Sequence, residues 1–98
     1  MPYFLMTYDL IEDYINRRGP LRAEHLRLAA ESRARGELVM GGALTNPADK
    51  VIIVFRGADA SAADKFARND PYVKNGLVVK WEVRPWNVVI GGSEGTPK

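Results

Sequence analysis

The chain has 98 residues, of which 46% are apolar and 27% are charged, with no cysteine and a formal net charge of +2. This composition is typical of one soluble globular domain, and the lack of cysteine excludes disulfides and thiolate metal sites. So small a charge, with basic and acidic residues interspersed, gives no support for a nucleic-acid or membrane partner. Because the N-terminus lacks a signal-peptide pattern and no apolar run could span a bilayer, we expect a cytoplasmic protein.

The first half of the chain predicts a strand, a helix and a second strand. Residues 3–9 are apolar or aromatic at nearly every position, which indicates a strand that is buried on both faces. The composition of residues 21–35 strongly favours a helix, and Gly36 follows as a C-terminal cap. Residues 38–45 predict a second strand, which is interrupted by a pair of glycines.

The second half predicts a strand, a short helix and a final strand. Residues 50–56 (KVIIVFR) are almost entirely apolar, as in the centre of a sheet. Ser61 and Asp64 have the spacing of a capping box and predict the start of a short helix, which Pro71 must end. Residues 77–86 alternate between apolar and charged side chains, which is typical of a strand with one solvated face.

The order β-α-β-β-α-β is that of a ferredoxin-like α+β fold, an antiparallel sheet with two helices on one face. In this fold the first and third strands lie in the centre of the sheet, which agrees with their apolar character. The last strand contains Pro85, as expected at a sheet edge. We therefore expect a single domain over residues 1–90, followed by a flexible tail at residues 91–98.

The second face of such a sheet has no helix to cover it. The central strands are apolar on that face too, so it would form a large exposed patch on a monomer. We therefore predict a homodimer that packs through the open sheet face. The alternative is that residues 88–90 (VVI) fold back over part of this face.

His25 and Asp70 are the strongest candidates for catalysis. His25, the only histidine, shares a helical face with Leu21 and Leu28, and imidazole titrates near neutrality. Asp70 follows the second predicted helix, where the helix dipole disfavours a negative charge. Because both helices lie on the same face of the sheet, the two residues could be neighbours. Asp70 would then fix the imidazole tautomer, and His25 would act as general acid or base.

Both residues also have ordinary structural interpretations. An inward-facing histidine can simply bond to a backbone carbonyl, and Asp70 with Pro71 fits the first two positions of a type I turn. No nucleophile-elbow pattern surrounds Ser32, so covalent catalysis is not expected.

Four further residues are candidates for contacting a small-molecule substrate. Arg22, three residues before His25, could hold an anionic group, or could be a solvated helix residue. Asp9 could contact a ligand, or could merely end the first strand. Gly41 and Gly42 would let the backbone approach a ligand closely, or could mark a bulge.

Several other classes of site lack support. One histidine and no cysteine do not make a convincing zinc or iron site, and no glycine-rich phosphate loop joins a strand to a helix. The segment KVIIVFRG has one aromatic residue, whereas RNA recognition motifs stack bases on several. We therefore expect no metal, no cofactor and no nucleic acid.

Six short blocks occur in a characteristic order along most of the chain: residues 22–26 (RAEHL), 36–38 (GEL), 41–42 (GG), 70–73 (DPYV), 76–78 (GLV) and 83–86 (VRPW). This ordered set resembles the YCII-related (YciI-like) domain family. The resemblance implies a ferredoxin-like fold of the dimeric α+β barrel kind and an active site formed by a helix histidine and the aspartate of an Asp-Pro motif. On this chain those positions are His25 and Asp70, and a family arginine matches Arg22.

The resemblance also implies a class of chemistry. One relative is similar to a dehydrochlorinase of chlorinated hydroxyquinols, and proteins of similar fold include muconolactone isomerases. Acid–base chemistry on a small cyclic or aromatic-derived compound is therefore implied. The chain departs from the family at Ala23, where proline is common, and at Ala43, where Gly-Pro is common after Gly41. Because both changes lie beside the implied site, the substrate is not carried across.

Three functions remain open on this basis. The first is a cofactor-free enzyme in which His25 and Asp70 transfer protons in an isomerisation or elimination, including dehalogenation. The second is a non-catalytic small-molecule-binding or regulatory module of the same fold. The third is a monooxygenase of the dimeric barrel type, for which a single histidine is the only evident ligand.

Overall fold

The computed structural model describes residues 2–91, which form a four-stranded sheet and four helices. The two long helices and all four strands occur where the sequence predicts them. The two other helices are single turns that the sequence did not predict. In chain order the elements are β1 (Tyr3–Leu10), α1 (Tyr14–Arg17), α2 (Gly19–Ala34), β2 (Leu38–Ala43), β3 (Lys50–Arg56), α3 (Ser61–Asn69), α4 (Pro71–Lys74) and β4 (Val78–Trp86).

The sheet has the strand order β2-β3-β1-β4, and every neighbouring pair is antiparallel. The first and third strands are therefore central, which confirms the predicted α+β, ferredoxin-like arrangement. Met6 of β1 illustrates the register, since it lies opposite Ile53 of β3 and Val83 of β4.

The hydrophobic core lies between the helices and one face of this sheet. Alternate residues of the central strands point to that face, because successive strand side chains point to opposite sides. The buried cluster includes Met6, Tyr8, Val51, Ile53, Phe55, Phe66, Ala67, Tyr72 and Leu77. Burial of these apolar and aromatic side chains fixes the positions of α2 and α3 over the sheet.

The C-terminus of α2 has the predicted glycine cap. Gly36 has φ of +79°, a left-handed conformation that glycine adopts without a steric penalty. The amide of Gly36 donates to the carbonyl of Arg33, and the amide of Glu37 donates to the carbonyl of Ser32. These two bonds form a Schellman motif, which sets the exit of the chain into β2.

The predicted capping box at the start of α3 is wrong. Ser61 is the first helical residue, and the N-cap is Ala60, which offers no side-chain hydrogen bond. The Asp59 carboxylate accepts a hydrogen bond from the Ser61 amide at 2.9 Å instead, so the preceding loop supplies the acceptor. The helix continues to Asn69 and ends where Asp70 takes an extended conformation, as expected before proline.

The sheet face opposite the helices carries exposed apolar residues. On this face Met40 of β2 is 65% exposed, whereas its sheet partner Val54 of β3 is buried. The alternative cover by residues 88–90 is not what the structure shows, because Val89 and Ile90 are 79% and 88% exposed. The homodimer stays a prediction.

No helix within residues 2–91 is long and apolar enough to cross a membrane. The cytoplasmic location and the single domain over residues 1–90 stay predictions. Of the predicted flexible tail, residues 91–98, all but Gly91 lie outside the described residues.

Candidate functional site

His25 lies in the middle of α2 and faces the core. Its spacing from Leu21, Leu28 and Ala29 places all four on one side of the helix, and these three apolar residues pack against the core. The His25 side chain is 13% exposed, so the ring is held by the protein but still reaches the surface.

Asp70 lies at the junction of α3 and α4, and its side chain is completely buried. The residue ends α3 and is also the N-cap of α4, where its Oδ1 atom accepts a hydrogen bond from the Tyr72 amide at 2.9 Å. Its carbonyl accepts from the Val73 amide at 3.0 Å, which closes a tight turn. Asp70 therefore forms part of a turn, as the structural interpretation predicted. Its carboxylate is unfavourable at the C-terminal end of α3, but it caps the N-terminus of α4.

The structure brings His25 and Asp70 together. The Nδ1 atom of His25 lies 3.0 Å from both carboxylate oxygens of Asp70. Because an ionised carboxylate can only accept, Nδ1 must carry the proton in this contact. The other ring nitrogen, Nε2, is left as the atom available to a ligand. The structure thus places the two side chains in contact, and the control of the tautomer by Asp70 stays a prediction.

Tyr8 of β1 completes the set of donors around the buried carboxylate. Its hydroxyl donates to Oδ2 of Asp70 at 2.8 Å. Burial, together with the neighbouring Asp70 charge, raises the pKa of the Tyr8 hydroxyl well above its usual value, so the phenol keeps its proton and its donor role. Sequence reasoning missed Tyr8. The available signal was a phenol on a buried central strand, since buried phenols usually need a partner.

Aromatic rings fix the orientation of the imidazole. The His25 ring stacks on the Tyr72 ring, with centroids 4.0 Å apart and planes 12° apart. The Phe66 ring meets it edge-on, with centroids 6.0 Å apart and an angle of 77°. Since Tyr72 follows the Asp-Pro turn directly, the same short segment supplies both the carboxylate and the stacking ring.

A cleft of about 180 Å³ opens beside His25, between the first two helices and the β2–β3 edge of the sheet. This volume suits a small compound, because pockets for drug-sized ligands start at roughly 300 Å³. The residues around it are Tyr14, Arg18, Arg22, His25, Leu26, Gly41, Gly42, Ala43, Val51, Ile53 and Tyr72.

Arg22, Gly41 and Gly42 therefore lie at the same cleft as His25. A Cβ atom on Gly41 would lie 3.3 Å from Cγ1 of Ile53, so a side chain there would crowd this wall. The sequence also suggested a bulge at Gly41 and Gly42. The shift in register with β3 lies just before these glycines, between Leu38 and Met40.

Asp9 lies outside the cleft. Its Oδ1 atom accepts a hydrogen bond from Nζ of Lys50 at 2.6 Å, and it pairs in the sheet with Lys50 and Lys80. The hydrogen bond from Lys50 is the main cause that lowers the pKa of Asp9. The structure thus places Asp9 in a charged cluster on the open face of the sheet.

Two phenols stand between His25 and the basic mouth of the cleft. The rings of Tyr14 and Tyr72 meet edge to face with centroids 5.6 Å apart. Burial, followed by the nearby Tyr14 hydroxyl, raises the pKa of Tyr72 to about 12, while the charges of Arg22 and Arg18 act in the opposite direction. The Tyr72 phenol therefore keeps its proton at neutral pH.

Within residues 2–91 no group of three or more His, Cys, Asp or Glu side chains is arranged to hold a metal ion. The polar groups at the cleft are the imidazole of His25, the phenols of Tyr14 and Tyr72, the guanidiniums of Arg18 and Arg22, and the backbone of Gly41 and Gly42.

The fold is similar to that of several solved structures. One is TftG, the 5-chloro-2-hydroxyhydroquinone dehydrochlorinase of Burkholderia phenoliruptrix, whose structure was solved with 2,5-dihydroxybenzoquinone. It is 19% identical to this chain, with a TM-score of 0.72, and the match covers 87% of this chain and 93% of that chain. PA3566 of Pseudomonas aeruginosa is 13% identical with a TM-score of 0.58, over 91% and 95% of the two chains. A Deinococcus radiodurans protein classed with the antibiotic biosynthesis monooxygenases is 12% identical with a TM-score of 0.57, over the whole of both chains.

These likenesses confirm the fold. A search of curated protein sequences found no match. The model of the YCII-related domain matches residues 1–87, which includes both halves of the His25–Asp70 contact. The chain therefore belongs to the YCII-related domain family.

Proposed function

We propose that the cleft is the active site of a cofactor-free enzyme that transfers protons on a small organic molecule. In this proposal His25 is the general acid–base and Asp70 is the residue that positions it. The observation that carries the proposal is the 3.0 Å contact between Nδ1 of His25 and the fully buried carboxylate of Asp70, on a ring that borders the cleft.

Asp70 offers both of its carboxylate oxygens to buried donors. Oδ1 caps the Tyr72 amide and Oδ2 accepts from the Tyr8 hydroxyl, and an asparagine has only one acceptor oxygen. Burying a carboxylate is costly unless it is paired and hydrogen-bonded. A carboxylate becomes useful when the neighbouring imidazole takes a proton, because it then stabilises the resulting imidazolium.

The reaction class is isomerisation or elimination, including dehalogenation. Nε2 of His25 would take a proton from a carbon beside a carbonyl group, which holds the resulting electron pair as an enolate. In an isomerisation the imidazolium returns that proton to another carbon. In an elimination the electrons of the broken C–H bond form a double bond, and a halide leaves with its bonding pair. The dehydrochlorinase of the same fold supports this class, and Arg22 with the backbone of Gly41 and Gly42 would contact the substrate.

The experiment uses chlorinated hydroxyquinols and small cyclic enones as probes in D₂O. NMR records deuterium entering the probe, and a chloride electrode records halide release. We expect His25→Gln to lower turnover about 10²- to 10⁴-fold, the usual contribution of a general acid–base group. The imidazole ¹⁵N shifts should show the Nδ1–H tautomer in the unaltered protein and a mixture of tautomers in Asp70→Asn, which also loses turnover.

Asp64→Asn is the matched control for Asp70→Asn. Asp64 belongs to the same helix, pairs with Arg68 on the surface and lies outside the cleft, so turnover should not change. Folded His25→Gln and Asp70→Asn variants with full turnover would contradict the proposal. Ligand binding without any turnover by the unaltered protein would instead support the binding module.

The predicted homodimer is also a proposal. The support is an uncovered sheet face on which Met40 is 65% exposed and Trp86 is 47% exposed, since apolar patches of this kind often mark interfaces. Light scattering at micromolar concentration should give twice the mass of the chain. Ile52→Lys, which places a charge on the same face, should give the monomer mass, and a monomer in the unaltered protein would overturn the proposal.

A further inference from the structure

Two arginines at the mouth of the cleft, Arg18 and Arg22, have no acidic partner among the described residues. Within residues 2–91, no ion pair joins Arg18 or Arg22 to a carboxylate, and no Asp or Glu borders the cleft. Arg27, Arg35 and Arg68 each pair with a nearby acidic side chain, and Arg33 and Arg56 donate to backbone carbonyls, but none of these five borders this cleft. The cleft is thus positively charged without internal compensation.

The positions of these arginines do not stabilise the helix that carries them. Arg18 is the N-cap of α2 and makes no side-chain capping bond, Arg22 follows within the next turn, and no acidic residue occupies the first turn. Because the N-terminal end of a helix is already positive, cations there are unfavourable for helix stability. Arg18 is also the C-cap of α1, where a cation is favourable, so the unfavourable placement concerns Arg22.

A contact with Tyr14 holds the charge of Arg18 near the phenols beside His25. The guanidinium carbon of Arg18 lies 5.3 Å from the Tyr14 ring centroid, within the range of a cation–π contact. Arg18 and Arg22 both act electrostatically on the Tyr72 hydroxyl, and the Tyr72 ring stacks on the imidazole. One phenol thus joins the basic mouth of the cleft to the proposed acid–base group.

We propose that Arg18 and Arg22 form a subsite for the anionic group of the substrate, a carboxylate or a phenolate on a single small ring. The anion would bind between the guanidiniums, with the phenol of Tyr72 as a further donor, and the ring would lie in the cleft against His25. Guanidinium groups suit this task because their planar donors match such oxygens. This proposal rests on the proposed function for the identity of the site and adds the charge class of its substrate.

The size of the cleft limits the rest of the molecule. Its volume of about 180 Å³ equals that of roughly six water molecules at about 30 Å³ each. One six-membered ring with a few substituents fits this space. A nucleotide or a fatty acid does not.

The experiment measures binding, so it needs no knowledge of the true substrate. Benzoate and benzamide have nearly the same shape and differ in charge, and ¹H–¹⁵N NMR titration of the full-length protein gives the Kd of each. We expect benzoate to shift the amide signals at the N-terminal turn of α2 and to bind about tenfold tighter than benzamide. Arg18→Gln and Arg22→Gln should each weaken benzoate binding about tenfold, a loss typical of a hydrogen bond to a charged group.

Arg17→Gln is the matched control. It removes the same charge from the adjacent position, but Arg17 is exposed and does not border the cleft. We expect less than a twofold effect from this change, and no effect of any of the three variants on benzamide binding.

Three results would overturn the subsite. They are equal binding of the two probes, a loss in Arg17→Gln as large as that in Arg22→Gln, and no benzoate-dependent shift at the cleft up to the solubility limit. None of them bears on proton transfer, which is tested by turnover in His25→Gln. Conversely, benzoate binding that survives in a protein with no turnover would leave the subsite intact and remove the proposed reaction.

Discussion

Removing the Tyr8 hydroxyl tests whether Asp70 is a charged group held by its donors. In Tyr8→Phe the ring remains, so no large cavity forms, but Oδ2 of Asp70 loses the donor at 2.8 Å. Asp70 is fully buried, so water cannot replace the missing hydrogen bond. Hydrogen bonds to charged groups contribute about 1.5–3 kcal/mol, and we expect the free energy of unfolding at pH 7 to fall by that amount.

The assay is urea denaturation followed by tryptophan fluorescence, at one fixed protein concentration because an oligomer would make stability depend on concentration. The midpoint should fall while the slope against urea stays the same, which indicates lost stability without a change in the exposed surface. Tyr14→Phe is the control. It removes another buried phenol hydroxyl at the cleft without removing a donor to Asp70.

A double-mutant cycle gives the sharper form of this prediction. In an Asp70→Asn background the acceptor is neutral, so Tyr8→Phe should cost only about 0.5–1.5 kcal/mol, as for a neutral hydrogen bond. The difference between the two backgrounds measures the coupling of the phenol to the charge. Equal costs in the two backgrounds, or a cost below about 0.5 kcal/mol in the unaltered protein, would refute a charged and tightly held Asp70.

Three further predictions concern pH, the cleft wall and metal ions. Folding raises the pKa of Tyr72 to about 12 and that of Tyr8 further. The stability that these phenols contribute is therefore complete below the unfolded pKa of about 10 and is lost as pH rises above it. The difference in urea midpoint between the unaltered protein and Tyr8→Phe, measured from pH 8 to 12, should narrow above pH 10. Gly41→Ala should lower stability by about 1 kcal/mol through crowding of Ile53, since its Cβ would lie 3.3 Å from that side chain, while Gly42→Ala, with open space around the new Cβ, should have no effect in the same assay. EDTA should leave turnover of the NMR probes unchanged, and loss of activity that returns with added metal would contradict a cofactor-free reaction.

The elements that could be predicted from the sequence are those with a local cause. Gly36 ends α2 because one residue must take a left-handed conformation there. The inward face of α2 follows from helical spacing alone, so His25 could be placed on it. The central position of β3 follows from its nearly continuous apolar run, which only a strand covered on both sides would need.

The parts that could not be predicted depend on tertiary contact or on competition between nearby groups. The contact of His25 with Asp70 joins residues 45 positions apart, and no local pattern gives that distance. Ser61 fits a capping box in sequence, but the Asp59 carboxylate reaches its amide and displaces that arrangement. The helices α1 and α4 have four residues each, too few to show a periodic pattern.

The charges at the proposed site are best understood as a set. The Asp70 carboxylate is buried beneath the His25 ring, and within residues 2–91 no ion pair joins Arg18 or Arg22, at the mouth of the cleft, to a carboxylate. Binding of an anionic substrate would balance charge at the mouth, and proton transfer to His25 would balance the charge of Asp70. The two compensations occur at different steps, because the first belongs to binding and the second to chemistry. Substitution of the arginines should therefore act mainly on KM, and substitution of Asp70 mainly on kcat. Steady-state kinetics on the four single variants Arg18→Gln, Arg22→Gln, His25→Gln and Asp70→Asn would separate the two roles. Equal effects on both constants in all four variants would show that this division is wrong.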